Sequence, residues 1–162
     1  APCRKGPRCA QQYQSRLSGP FIDRIDLFYD TPAVTASDLA GPPAEEGSAE
    51  VAGRVARARA IQARRYEGEA AHVQRYLNVD ASVDLLGKCA QPNPPGDALL
   101  QEAARSLSLS ARAYHRVLKV ARTIADLEAS EEVRRIHIAE ALSYRRRPIE
   151  EMETNTLNRL NF

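Results

Sequence analysis

Apolar residues recur at helical spacing along residues 110–145, and the pattern predicts two helices. Ser110 is a favourable N-cap, since its hydroxyl can accept from a free backbone N–H of the first turn. Six apolar positions then share one face, namely Tyr114, Val117, Leu118, Ala121, Ile124 and Ala125. The second helix is predicted to start at Ser130 and to bury Val133, either Ile136 or His137, Ala141 and Leu142.

The opposite face of the first helix is basic, with one cation per turn at Arg112, His115, Arg116, Lys119 and Arg122. Arg112 lies in the first turn, where the helix dipole is positive, and Asp126 lies near the negative end. Each such placement costs up to about 1 kcal/mol. A bound anion would offset that cost, because free N–H groups at a helix N-terminus already attract phosphate. The alternative is a solvated basic face on a bundle helix.

Weaker patterns predict further helices over 48–66, after a cap at Asp80 or Ser82, and over about 95–107. Near the N-terminus, Ile25, Leu27 and Tyr29 occupy alternate positions and predict a short strand within 20–34. One strand cannot form a sheet alone, so any partner strands would lie outside this chain.

The composition suits one domain, with 162 residues of which 43% are hydrophobic. A net charge of +2 argues neither for nor against a nucleic-acid partner. No apolar run reaches the length of a membrane span, and no secretory signal is recognisable. We therefore expect no membrane association.

The three cysteines, Cys3, Cys9 and Cys89, form an odd and sparse set, which indicates reduced thiols in a cytoplasmic protein. Cys3 and Cys9 could be half of a metal site, but a closed zinc site needs four ligands. Free thiols are the favoured interpretation, and we expect no metal.

Two motifs of nucleotide hydrolysis are absent from the sequence, the glycine-rich phosphate loop and an apolar strand ending in Asp-Glu. We therefore expect no ATP hydrolysis by this polypeptide alone. The chain begins at Ala1 without Met, and we interpret it as a piece of a longer protein.

The sequence SARAYHRVLKVARTIADLEASEEVRRIHIAEALSYR, residues 110–145, resembles the C-terminal helical lid of magnesium-chelatase-like AAA+ ATPases of the ComM/YifB competence-protein family. The closest likeness lies in ARTIADLE and EALSYR. A second segment, RLSGPFIDRIDL at 16–27, resembles the family's arginine-finger stretch.

The resemblance implies roles for individual residues. Arg24 would be an arginine finger that acts in trans on a neighbouring subunit, and Arg112 would be sensor 2, which contacts bound nucleotide. The basic face of the first helix adds Arg116, Lys119 and Arg122 as candidate contacts to an anion or to DNA. The alternative for Arg24 is a surface ion pair with Asp23 or Asp26.

The resemblance also implies a mainly α fold, an AAA+ C-terminal lid bundle of four to five helices with one short orphan β-strand near the N-terminus. We expect 1–34 to be a remnant of the AAA+ core, 35–47 a linker and 48–145 the lid. The tail 146–162 is expected to be a linker, a disordered end or vector-derived sequence.

For the full-length protein the resemblance implies ATP and Mg²⁺ as cofactors, a homo-oligomer, commonly a hexamer, and DNA as a partner. The implied activity is a branch-migrating DNA helicase in natural transformation. The alternatives are the ATPase subunit of a magnesium-chelatase-type metal-insertion complex and a stand-alone helical module that binds nucleic acid.

Overall fold

The computed structural model describes residue 16 and residues 18–29, 31–42, 45–69 and 76–145. These parts of the chain are mainly α-helical, as the sequence predicts. Seven α-helices lie within them: α1 Gly19–Ile22, α2 Ala36–Ala40, α3 Ser48–Arg65, α4 Val83–Cys89, α5 Pro94–Ser106, α6 Ala111–Leu127 and α7 Arg135–Ser143. A 3-10 helix, Asn78–Asp80, precedes α4. Cys3, Cys9 and the tail 146–162 lie outside the described residues.

The segment predicted as a strand is irregular where the structure describes it. Residues 25–29 form no strand, because a strand requires a neighbouring ladder and the facing chain here is helical. One backbone hydrogen bond, from the Phe28 N–H to the Tyr144 carbonyl at 2.8 Å, joins this segment to the end of α7. The segment therefore lies against the helical bundle instead of in a sheet.

A short helix, α2, forms within the predicted linker 35–47. Thr35 and Asp38 form a capping box, in which the Thr35 N–H donates to Asp38 Oδ2 at 2.8 Å and the Asp38 N–H donates to Thr35 Oγ1 at 3.3 Å. None of the residues of α2 is buried. Local capping thus specifies this helix without help from packing.

Helix α6 is at the centre of the bundle. It packs against α3, α4, α7 and the 3-10 helix, while α5 packs against α7. The apolar face predicted for α6 points inward: Val117, Ala121 and Ala125 are completely buried. They meet Leu86, Leu100 and Ile138 from three other helices in one hydrophobic core.

The last helix starts later than the sequence suggests, at Arg135 instead of Ser130. Ala129 adopts a left-handed conformation, with φ of 56°, just after α6 ends, and the chain then bends at Glu131 and Glu132 before it reaches Val133. Val133 forms an isolated parallel bridge with Pro92 and is buried outside any helix. His137 is buried and Ile136 is exposed, which decides between the two predicted core positions.

The longest helix, α3, has 18 residues and buries only Ala58 and Gln62. The rest of its surface is rich in arginine and polar. Within the described ranges, no helix combines the length and the apolarity that a membrane span requires.

Candidate functional site

Arg112 lies in the first turn of α6, where the sequence places it. The Ser110 hydroxyl caps this helix, since its Oγ accepts from the Ala113 N–H at 3.1 Å. The first turn contains no acidic residue, and the Arg112 side chain is exposed. Nothing within the described residues hydrogen-bonds or ion-pairs with that side chain, so its guanidinium remains available to an anion.

A groove of about 360 Å³ runs beside Arg112. We call it the basic groove. Its basic side consists of four α6 residues, Arg112, His115, Arg116 and Lys119, and its apolar side of Val79, Ala81, Val83 and Leu86. Basic and apolar groups thus face one another across a cleft large enough for part of a small anionic ligand.

Lys119 and Arg116, two cations of the basic groove, each also contact another group of the protein. Lys119 donates from Nζ to the Val79 carbonyl at 2.7 Å. Burial lowers the pKa of Lys119, and the positive charge of Arg116 lowers it further. Arg116 forms an ion pair with Asp26, and its buried Nε has no hydrogen-bond acceptor within the described part of the chain.

Arg122 is not part of this surface, and its predicted role as an anion or DNA contact is wrong. The side chain is 1% exposed and points inward. Its Nε donates to Asp126 Oδ1 at 3.0 Å, and its Nη1 donates to the Glu131 carbonyl at 2.7 Å. The loop that follows α6 covers this part of the polar face, so the basic face is one residue shorter than predicted.

The contacts of Arg122 belong to a buried ion network, which consists of Arg65, Asn78, Arg122 and Asp126. The two oxygens of Asp126 accept from both terminal nitrogens of Arg65, and Asn78 Nδ2 donates to Asp126 Oδ2 at 2.8 Å. Burial lowers the pKa of Arg122, and the charge of Asp126 offsets part of that effect. The network joins α3, the 3-10 helix and α6.

Arg24 lies just after α1, in the turn 23–24. Its side chain is exposed and has no hydrogen bond or ion pair within the ranges described. Asp23 and Asp26, the partners in the surface ion-pair alternative, are engaged elsewhere: Asp23 accepts from Ser110 Oγ at 2.8 Å, and Asp26 pairs with Arg116. The residues on either side of Arg24 are therefore held against the first half of α6, the helix that also carries Arg112.

Sequence reasoning named Asp23 and Asp26 only as alternative ion-pair partners of Arg24, and it assigned no role to Arg145. Arg145 donates from Nη1 to the Ile25 carbonyl at 2.8 Å and is almost buried. Burial lowers the pKa of Arg145, and the negative charge of Asp23 works in the opposite direction. Only the alternation of Asp with Arg24 hinted at these contacts, because their partners are about 90 to 120 residues away in the chain.

Nucleotide and Mg²⁺ place different demands on these residues. The cations of the basic groove suit a phosphate, since guanidinium and ammonium groups donate charge-assisted hydrogen bonds to phosphate oxygens. A metal ion would need oxygen or imidazole ligands close together. The described residues contain no group of three His, Cys, Asp or Glu side chains that could hold one.

Two family models match the chain. The model for the C-terminal part of magnesium chelatase subunit ChlI covers residues 45–145, and the model for magnesium chelatase subunit ChlI covers residues 1–39. Together they span the Arg24 segment and the helical bundle.

Curated bacterial proteins are similar to nearly the whole chain. Competence protein ComM of Haemophilus influenzae is 40% identical over 143 residues, which is 88% of this chain and 26% of that protein. The uncharacterized protein YifB is 37% identical in Salmonella typhimurium and 36% in Escherichia coli, in each case over 86% of this chain and 26% of the relative. The chain thus spans about a quarter of the length of these relatives.

Proposed function

The chain belongs to the magnesium chelatase ChlI family, and from that premise we propose that it forms the lid and arginine-finger segment of an ATP-dependent AAA+ motor of the ComM type. The observation that carries this proposal is the exposed, unengaged Arg112 in the first turn of a capped helix beside the basic groove. Removing a cation from the positive end of a helix dipole would not destabilise the helix. Its placement is therefore better explained by a ligand than by folding.

In this proposal Arg112 acts as sensor 2 and contacts the terminal phosphate of ATP bound in its own subunit. His115, Arg116 and Lys119 surround the same groove and add positive potential there. We propose that Mg²⁺ accompanies ATP in the full-length protein; the residues that the structure describes contain no group of three His, Cys, Asp or Glu side chains that could hold it. Arg116 and Lys119 are also the remaining candidates for DNA contacts.

Arg24 acts in trans on the ATP of a neighbouring subunit. Its exposure supports this role, because a finger must reach beyond its own chain. A finger that each subunit offers to the next implies a head-to-tail assembly, which forms a ring when the rotation between subunits closes, and a hexamer is the form we propose. We propose that the ring works in the cytoplasm, because the three cysteines of the sequence are a sparse and odd set, which suits reduced thiols.

Residues 1–34 are proposed to be the end of the ATPase core, 35–47 the linker, 48–145 the lid and 146–162 a tail. The limits of the two family matches, 1–39 and 45–145, support a division in this region. The proposed output is DNA branch migration during natural transformation. The similarity to a protein named for competence supports it.

A metal-insertion ATPase is the second candidate, because both family models are described as magnesium chelatase. Turnover measurements separate the two. A DNA motor predicts ATP hydrolysis by the full-length protein that rises with added branched DNA. A chelatase-type subunit predicts no response to DNA and a response to a porphyrin-binding partner.

Substitution of Arg112 tests the sensor assignment. In the full-length protein, Arg112→Ala should weaken ATP binding by roughly 10- to 150-fold and leave ADP binding unchanged, since a charge-assisted hydrogen bond contributes about 1.5–3 kcal/mol. The melting temperature should not fall. Arg57→Ala, which removes an exposed arginine from α3, is the matched control. Equal losses for ATP and ADP would contradict the assignment.

Arg24→Ala tests the finger separately. Turnover should fall by about 10³ or more, while nucleotide affinity measured by titration stays at the wild-type value. Unchanged turnover would show that Arg24 is a surface residue without a catalytic role.

A further inference from the structure

Four contacts fasten the segment around Arg24 to the ends of α6 and α7, and we call this set the clasp. Asp23 accepts from Ser110 Oγ at 2.8 Å, and Asp26 pairs with Arg116. Arg145 Nη1 donates to the Ile25 carbonyl at 2.8 Å, and the Phe28 N–H donates to the Tyr144 carbonyl at the same distance. The contacts lie on both sides of Arg24 in sequence.

Arg24 itself is left out of the clasp. Its backbone N–H donates to the Phe21 carbonyl at 3.0 Å within a tight turn, while its side chain is exposed. The main chain at Arg24 is therefore held from two sides, and the guanidinium projects from it. Such an arrangement fixes where the guanidinium can reach and does not neutralise its charge.

We propose that Asp23 and Asp26 are positioning residues that fix Arg24 to the lid, so that the lid of one subunit sets the finger that acts on the next subunit. This inference rests on the proposed function of Arg24 and Arg112. The finger is then carried by the helical bundle, and movement of the lid over its own nucleotide also moves the finger directed at the neighbouring nucleotide.

Arg116 belongs to both the basic groove and the clasp. It lines the basic groove together with Arg112, and it pairs with Asp26 in the clasp. An anion in the groove and the Asp26 carboxylate therefore share one guanidinium. Coupling between two such sites is reciprocal, so nucleotide in the groove and the Arg116–Asp26 pair influence one another, and removal of Asp26 leaves Arg116 free for the anion.

The test uses Asp26→Ala and Asp23→Ala in the full-length protein. Each should lower kcat by about 10- to 100-fold, because small displacements of a catalytic group have effects of that size. Affinity for ATP should stay the same, or rise in Asp26→Ala. Asp26→Glu retains a carboxylate for Arg116 and should restore most of the turnover. Asp84→Asn, an exposed acidic residue of α4, is the control and should behave as wild type.

Subunit mixing distinguishes positioning of the finger from damage to the lid. An Asp26→Ala subunit keeps its own nucleotide site, and an Arg112→Ala subunit keeps its finger, so mixed assemblies of the two should regain activity. If Asp26→Ala instead damaged the nucleotide site of its own subunit, the mixed assemblies would not regain activity. Arg24→Ala mixed with Arg112→Ala is the reference for recovery.

The outcomes separate the two proposals. Recovery in the reference mixture but none with Asp26→Ala would overturn the clasp and leave the proposed function intact. Wild-type turnover in both aspartate variants, or a loss of ATP affinity with a lower melting temperature, would also overturn it. Absence of recovery in the reference mixture would overturn the proposed function, and the positioning role with it.

Discussion

Asp126 and Arg122 form a buried ion pair within α6. Arg122 continues the spacing of Lys119 and Arg116, so periodicity assigns it to the basic face. Periodicity indicates which side of a helix is polar, but not whether another element covers that side. Here Ser130 and Glu131 bring their carbonyls over Arg122, and the i,i+4 pair with Asp126 becomes buried.

We expect Asp126→Asn to destabilise the protein strongly. Removing one partner of a buried ion pair leaves an uncompensated charge and costs about 3–5 kcal/mol, and here Arg65 and Arg122 both lose their counter-ion. Thermal unfolding should show a melting temperature lower by roughly 6–20 °C. Asp84→Asn at an exposed position should shift it far less, and equal shifts would contradict the buried network.

The Glu128–His137 contact predicts a pH-dependent contribution to stability. His137 Nδ1 accepts from the Arg134 N–H at 2.9 Å, so Nε2 donates to Glu128 Oε2 at 3.0 Å. That hydrogen bond lowers the pKa of Glu128 below its ordinary value of 4.5. A lowered folded-state pKa contributes stability above pH 4.5, and the contribution is lost as pH falls through the folded-state pKa.

Glu128→Gln is the corresponding variant. It should unfold at a lower temperature than wild type at pH 6, and the two melting temperatures should converge as the pH falls below 4.5 and through the lowered folded-state pKa. A difference that stays constant over this range would show that the charge of Glu128 does not contribute.

At the scale of elements, the amphipathic pattern predicted α6 well and α7 less well. The apolar stripe and the Ser110 cap are local signals, and both are present in the structure. The start of α7 was misplaced because Val133 is held by a bridge to Pro92, a contact about 40 residues away. Ser130, Glu131 and Glu132 look like a helix start, but the N-cap residue of α7 is Arg134, whose backbone N–H donates to His137 Nδ1, and neither residue type has a strong capping signature.

The packing of α5 beneath α7 gives a prediction at this scale. A Cβ at Gly96 would lie 3.1 Å from Pro92 Cβ and 3.3 Å from the Arg135 nitrogen. Gly96→Ala should therefore lower the melting temperature. Gly87→Ala, in α4, meets no atom within 4 Å and should raise stability by up to about 1 kcal/mol. Stabilisation by both substitutions would contradict the close approach of α5 to the start of α7.

At the scale of the whole molecule, the sequence and its resemblance indicated a helical lid with Arg112 at the start of a central helix. They did not indicate that the Arg24 segment lies against that lid. The clasp depends on contacts between residues 23–28 and residues 110–145, and such distant pairs leave no periodic trace in a single sequence. The position of Arg24 relative to α6 therefore required the three-dimensional structure.

We propose that Arg112 serves the nucleotide of its own subunit and that Arg24 serves the nucleotide of the neighbouring subunit. The most direct measurement is ATP turnover in mixtures of full-length Arg24→Ala and Arg112→Ala subunits, at an ATP concentration too low to saturate the Arg112→Ala site, where each variant alone turns over slowly. In a randomly mixed ring at equal amounts, about a quarter of the interfaces would pair an intact Arg112 with an intact Arg24. We predict recovery towards that fraction of wild-type turnover. If the subunits co-assemble and turnover stays at the level of the separate variants, the division of roles between Arg24 and Arg112 is wrong.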